Sequence, residues 1–210
     1  MQDDAFFSAL TARLRDEEGC HTVILYGSQA RGDATAESDV DVIAFRDGER
    51  PLIRDAGIWR GARMDLFVYP TSRLANADAS LIHIRGGRVL LERDGAGHGL
   101  LARLEAVHAQ GPAPMSADEV AANRAWAWKM LDRAARGDIE GDYRRVWLLT
   151  TLLEHHFQLR GDWYPGSKAG LAALAQNDPA SLALFEAALK PAAPFEAIAA
   201  LVERVSGPRQ

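Results

Sequence analysis

The run Val23-Ile24-Leu25-Tyr26-Gly27-Ser28-Gln29-Ala30-Arg31-Gly32, with Asp39-Val40-Asp41-Val42-Ile43-Ala44-Phe45 beginning after ten residues that follow Ser28, decides how this chain is read. The first part is β-branched and apolar and runs straight into Gly-Ser. That pattern predicts a strand, a sharp turn at Gly27 and a short helix from Ser28. The second part alternates, with Asp39 and Asp41 on one face of a strand and valines on the other. Carboxylates held that close repel one another unless a cation lies between them. Oxygen-only ligands suit a hard ion, and Mg²⁺ keeps open positions for water and phosphate oxygens.

Working outward, Arg63-Met64-Asp65-Leu66-Phe67-Val68-Tyr69, closed by Pro70, is a third strand candidate. It puts Asp65 on a polar face, where it can complete a two-metal site that clamps attacking and leaving oxygens. Gly27 lets the backbone approach a ligand, and the Ser28 hydroxyl and nearby amides are candidate donors to phosphate. Arg31 stands one helical turn later and either touches phosphate or pairs with a nearby acid. Upstream, Phe6, Phe7, Leu10 and Leu14 recur at helical spacing and predict a helix over 4–18, stopped by Gly19. Residues 46–62 are polar, contain Gly48, Pro51, Gly57 and Gly61, and predict an irregular excursion. Arg88-Val89-Leu90-Leu91 is a weaker fourth strand, ended by Arg93-Asp94-Gly95.

Past Pro112 and Pro114 the pattern turns alanine-rich and helical, which divides the chain into domains 1–113 and 114–210. Ser116 with Glu119 three residues on marks a capped helix over about 117–136. Further helices are expected at about 142–160, 167–176, 179–189 and 194–205. On the second of these, Tyr143, Trp147, Thr150 or Thr151, and Glu154 form an aromatic and polar stripe ending in a carboxylate that can act as a base. Ser167 can cap the next helix, and Lys168 near its start is a candidate contact for a triphosphate tail. Adjacent His155 and His156 point different ways, one expected packed and one wet, while Trp126 and Trp128 read as packing residues.

Composition limits the partners. The 210 residues are 48% hydrophobic and 25% charged, the proportions of a globular protein rather than a disordered one. Twenty-four Lys plus Arg against twenty-nine Asp plus Glu leave a charge of -5, which disfavours nucleic acid and a polymerase role. No apolar run approaches the roughly 18 residues that span a bilayer, and the acidic Met1-Gln2-Asp3-Asp4 does not resemble a signal peptide, so a cytoplasmic protein without a membrane partner is expected. Cys20 is the single cysteine and reads as a small buried apolar residue.

The segment from Tyr26 to Gly32 followed by Ser38-Asp39-Val40-Asp41-Val42 resembles the small prokaryotic nucleotidyltransferases of the DNA polymerase β superfamily, among them aminoglycoside and lincosamide nucleotidyltransferases and minimal nucleotidyltransferases paired with HEPN proteins. The resemblance implies an α+β, polymerase β-like catalytic domain with a mixed sheet, followed by an all-α helical bundle that shapes the acceptor site. It implies transfer of a nucleoside monophosphate, AMP from ATP, to a hydroxyl of a small molecule such as an antibiotic, with release of pyrophosphate. Asp39 and Asp41 match the paired ligands of two Mg²⁺ ions, Asp65 matches the third carboxylate, and Gly27 and Ser28 match the phosphate loop. Glu154 resembles the base that some antibiotic-modifying members place from their helical domain. The alternatives are an antitoxin that adenylylates a protein partner and a non-catalytic nucleotide-binding module.

Overall fold

A computed structural model describes residues 2–48, 52–76 and 78–209, so Pro51 of the expected excursion lies outside the described residues. The chain divides into two compact units, residues 1–110 and 111–210.

In the first unit, helix α1 (Asp4–Asp16) is capped by Asp3, whose carboxylate accepts from the Phe6 amide at 2.8 Å. Strand β1 (Cys20–Tyr26) passes directly into the short helix α2 (Gly27–Arg31), and β2 (Val40–Arg46) returns antiparallel to β1 with Tyr26 opposite Asp41. Strands β3 (Ile53–Asp55) and β4 (Ile58–Trp59) come next, then β5 (Ala62–Pro70). Helix α3 (Ser72–Ala75), a 3-10 turn (Ala79–Ile84), β6 (Arg88–Leu91) and helix α4 (Ala96–Ala109) complete the unit. The sheet order is β3-β5-β2-β1-β6, with β4 paired to β5 alone. Among the described residues only the β2–β5 pairing is parallel, in a register that sets Asp41 beside Asp65.

Both faces of β1 and β2 are covered, which accounts for their nearly continuous apolar sequence. On one face Phe6, Phe7, Leu10 and Leu14 of α1 pack on Val23, Leu25, Val42 and Leu66. On the other, Ile24, Ile43 and Phe45 pack with Leu81, Leu100 and Leu104. Cys20 is buried, and desolvation pushes its thiol up to about 11, so it stays protonated and inert at neutral pH.

Two expectations for this unit are corrected. Residues 46–62 are not wholly irregular: β3 and β4 form there, both antiparallel to β5. The pairing satisfies backbone groups along one edge of β5, a long-range requirement that the local sequence does not display. Helix α4 had no counterpart in the sequence reading, because Gly97 and Gly99 near its start weaken the local helical signal. Gly97 is there for close packing: a β-carbon on it would lie 3.1 Å from both methyls of Val89.

The second unit consists of α5 (Ala117–Ala134), α6 (Ile139–Gln158), α7 (Ser167–Asn177), α8 (Pro179–Ala188) and α9 (Phe195–Ser206). The cap of α5 is reciprocal, the Glu119 amide donating to Ser116 Oγ at 3.2 Å and the Ser116 amide to Glu119 Oε2 at 2.7 Å. Met130, Leu148, Leu152, Phe185, Leu201 and Val202 are the centre of its core. Ser167 does not cap α7; it is the first helical residue, and Gly166 with φ of 88° occupies the cap position. Among the described residues no helix is long and apolar enough to cross a membrane.

His155 and His156 correct a further expectation, because both are buried. Helix α6 packs on two sides, His155 against Trp126 and His156 against Phe185, so neighbouring directions on the helix both point inward. His156 is only 3% exposed and desolvation pushes its imidazole down to about 4. Arg160 and Arg204 press it the same way, while Asp178, 3.9 Å from its Nε2, and Asp162 oppose them. The folded state therefore holds His156 neutral, whereas the unfolded chain protonates it near pH 6.5. Stability is fully present above that pH and falls as the pH drops toward 4, by up to roughly 3 kcal/mol. Urea unfolding followed by tryptophan emission checks this, since Trp126, Trp128, Trp147 and Trp163 all report on this unit. His156→Leu should flatten the dependence between pH 6.5 and 4; an unchanged slope in the variant would refute the assignment.

Candidate active site

The candidate site lies at one end of the sheet, where β1 stops and β2 and β5 begin. Gly27 has φ of 68° and takes the chain from strand to helix without a spacer, and Gly32 with φ of 84° ends α2. The first glycine is required for space as well as for conformation. A β-carbon on Gly27 would lie 2.1 Å from Oδ2 of Asp41, because the β1–β2 pairing sets Tyr26 directly opposite that aspartate. Ser28 is half-buried, and among the described residues its hydroxyl has no hydrogen-bond partner. Its carbonyl accepts from the Gly32 and Asp33 amides at 3.0 and 3.2 Å, which fixes the loop. Arg31 is exposed and pairs with Asp33 at 3.3 Å, the acid-pairing alternative of its two expected roles.

Asp39 is exposed immediately before β2, Asp41 is half-buried within it, and Asp65 is half-buried at the adjoining position of β5. The Oδ1 atom of Asp65 is buried and has no hydrogen-bond partner. Burial raises the Asp41 carboxyl above the usual carboxylate range, the charges of Asp65 and Asp39 push the same way, and Arg31 partly opposes them. Tyr26 next to them is also held well above its ordinary value, by burial and then by Asp41 and Asp65. This is concentrated, under-compensated negative charge, which carries a cost in stability unless something positive binds.

The donor set suits a divalent cation: hard carboxylate oxygens from adjacent strands, one buried and orphaned, behind a glycine that leaves the approach open. Among the described residues no group of three acidic, histidine or cysteine side chains is set to hold a metal ion as it stands, so an ion here would take the rest of its shell from water and phosphate oxygens.

The structure brings Gly27, Ser28, Arg31, Asp39, Asp41 and Asp65 together within the first unit. Glu154 and Lys168 are carried by the second. Glu154 is exposed and its Oε1 accepts from Gln158 Nε2 at 2.7 Å, and Lys168 is exposed in the first turn of α7. Tyr143 and Trp147, 67% and 42% exposed, do form a surface stripe on α6. Tyr26 is a neighbour of the carboxylates that the sequence reading passed over. The alternation of β1 carried a signal for it, since Ile24 and Tyr26 share the face that meets Asp41 across the ladder.

Residues 10–76 match the family model of the nucleotidyltransferase domain. No curated protein matches the sequence. Among solved structures, a nucleotidyltransferase-like protein from Exiguobacterium sibiricum 255-15 is similar at a TM-score of 0.44 and 15% identity, over 96% of this chain and 77% of that one. The family match runs through β1, the Gly27 turn, β2 and Asp65, the elements that assemble the carboxylates, and so this chain carries a nucleotidyltransferase domain in its first unit.

Proposed function

We propose that the chain transfers AMP from ATP to a hydroxyl of a small acceptor and releases pyrophosphate. The observation that carries this reading is the buried, unpartnered Oδ1 of Asp65 beside Asp41, whose carboxyl is raised by burial and by like charge. Asp39, Asp41 and Asp65 would hold Mg²⁺, two ions with nucleotide bound, which when present supplies charge neutralisation at the reacting phosphate. Ser28 and the amides of its turn hold triphosphate oxygens. Asp65 orients the acceptor hydroxyl and takes its proton as the oxygen bonds to the α-phosphorus. The bond from that phosphorus to the bridging oxygen breaks and pyrophosphate leaves. Most of the rate comes from placing these groups in line, which suits a reaction that asks little covalent chemistry of the protein.

The test is to incubate the protein with Mg²⁺, each α-labelled nucleoside triphosphate, a panel of hydroxylated small molecules and a cell lysate. Label from ATP on a small molecule is expected. Label on a polypeptide would transfer the acceptor assignment to a protein, and nucleotide binding without any transfer would overturn the enzymatic reading.

A further inference from the structure

The charged side chains of the first unit are mostly committed to one another. Arg31 pairs with Asp33, Arg46 with Glu18, Arg73 with Asp78 and Arg93 with Asp47. Among the described residues of this unit, only Arg54, Arg60 and Arg63 have neither a carboxylate nor a carbonyl partner, and all three come from the segment β3–β5. Arg60 lies 4.8 Å over the Trp59 ring, which packs on Phe6 on the α1 side of the sheet. The other two lie on the opposite side, with the carboxylates. Arg54 is paired across the ladder with Phe67 and its guanidinium lies 5.4 Å over that ring. Arg63, Asp65 and Phe67 alternate with the buried Ala62, Met64, Leu66 and Val68, so they share one face of β5.

Asp65 is therefore flanked along the strand by Arg63 on one side and by the Arg54–Phe67 pair on the other, each about 7 Å away at the strand rise. Arginine forks pair readily with carboxylates. Neither of these closes on Asp65, and its Oδ1 stays buried and unpartnered. Two exposed, uncommitted guanidiniums beside an uncommitted carboxylate leave the carboxylate for a metal and the guanidiniums for something anionic.

Strand order says which anion. In the order β3-β5-β2-β1, Arg54 stands beyond Asp65 and Asp41 from the Gly27–Ser28 turn that ends β1, and Arg63 shares the strand of Asp65, separated from that turn by β2. Under the proposed function, on which this step rests, the triphosphate sits at that turn and the acceptor hydroxyl at Asp65. The arginines then border the acceptor rather than the triphosphate. We infer that Arg54 and Arg63 bind an anionic group of the acceptor, which is a small hydroxyl compound bearing a phosphate or a carboxylate. Planar guanidiniums match either anion in two-pronged fashion, and they repel a polycationic acceptor such as an aminoglycoside. A long polyanion is disfavoured by the net charge of -5.

The full-length chain, labelled with ¹⁵N-arginine and held with Mg²⁺ and α,β-methylene ATP, is titrated with glycerol 3-phosphate, glycerate, glycerol and kanamycin. The Nε–H signals are assigned with Arg54→Lys and Arg63→Lys. Both signals should move with glycerol 3-phosphate or glycerate, the pair distinguishing phosphate from carboxylate, and stay still with glycerol. The Arg54→Ala/Arg63→Ala double variant should bind the anionic probe at least tenfold more weakly and Mg²⁺–nucleotide within twofold of the unaltered protein. Signals unmoved by both anions overturn the inference, as does tighter binding of kanamycin than of either. A double variant that loses nucleotide affinity overturns it too, by giving the arginines to the triphosphate. Failure of the unaltered chain to bind the nucleotide analogue would instead sink the proposed function, and the same titration without nucleotide still reports on the two arginines.

Discussion

Asp41→Ala should lower nucleotidyl transfer by roughly three orders of magnitude or more, corresponding to the several kcal/mol of charge stabilisation that a metal clamp supplies. The folded protein should be at least as stable as before. The two expectations are linked by the same observation. Burial raises the Asp41 carboxyl, and so do Asp65 and Asp39, which means that its charge at neutral pH weakens the fold. An apolar replacement removes that repulsion and the cost of desolvating the carboxylate. A purely structural aspartate would behave in the opposite way, losing stability when truncated. Urea unfolding and the α-label assay on the same preparation separate the possibilities: an Asp41→Ala protein that is clearly less stable and still transfers would contradict the reading. Asp65→Ala should follow Asp41→Ala in both measurements, since the buried Oδ1 of Asp65 has no partner to lose.

The site was legible where its parts are close in sequence. Gly27, Ser28, Asp39 and Asp41 announce themselves by spacing, because turn chemistry and strand alternation act over a few residues. Asp65 needed only its own strand pattern to be found, although its place beside Asp41 depends on the parallel β2–β5 register. Arg63 stood in the same strand pattern as Asp65, but that its guanidinium has no carboxylate partner is a tertiary fact, and Arg54 was invisible for the opposite reason. Strand β3 has three residues and β4 two, set among glycines, so neither shows a periodicity of its own, and both exist only because β5 offers an edge to pair with. Helix α4 was hidden by Gly97 and Gly99, whose local cost is offset by burying Leu100 and Leu104 completely. The histidine pair failed through an assumption about faces. A helix packed on one side has a wet side, but α6 meets α5 at His155 and Phe185 of α8 at His156, and two adjacent directions are both dry. In each case local propensity was overruled by a contact made far along the chain.

Gly27→Ala should cost about 3 kcal/mol of stability and most of the activity, from two independent causes. The left-handed conformation at φ of 68° costs an alanine about 1–2 kcal/mol. Its methyl would also lie 2.1 Å from Asp41 Oδ2 and 3.0 Å from Cγ, so turn and carboxylate must part, adding about 1–3 kcal/mol. Gly32→Ala serves as the control, since that glycine has φ of 84° but a methyl on it would meet nothing within 4 Å, and only the conformational cost of about 1–2 kcal/mol applies. Activity should largely survive at Gly32 and not at Gly27. A double-mutant cycle then isolates the contact: in the Asp41→Ala background the clashing oxygen is gone, so Gly27→Ala should cost only about as much as Gly32→Ala. Additive costs in that cycle would mean that Gly27 is kept for its backbone conformation alone. Strong coupling would mean that this glycine is kept so that the Asp41 carboxylate can stand directly against the turn, which is the arrangement that brings phosphate oxygens and metal ligands to one place.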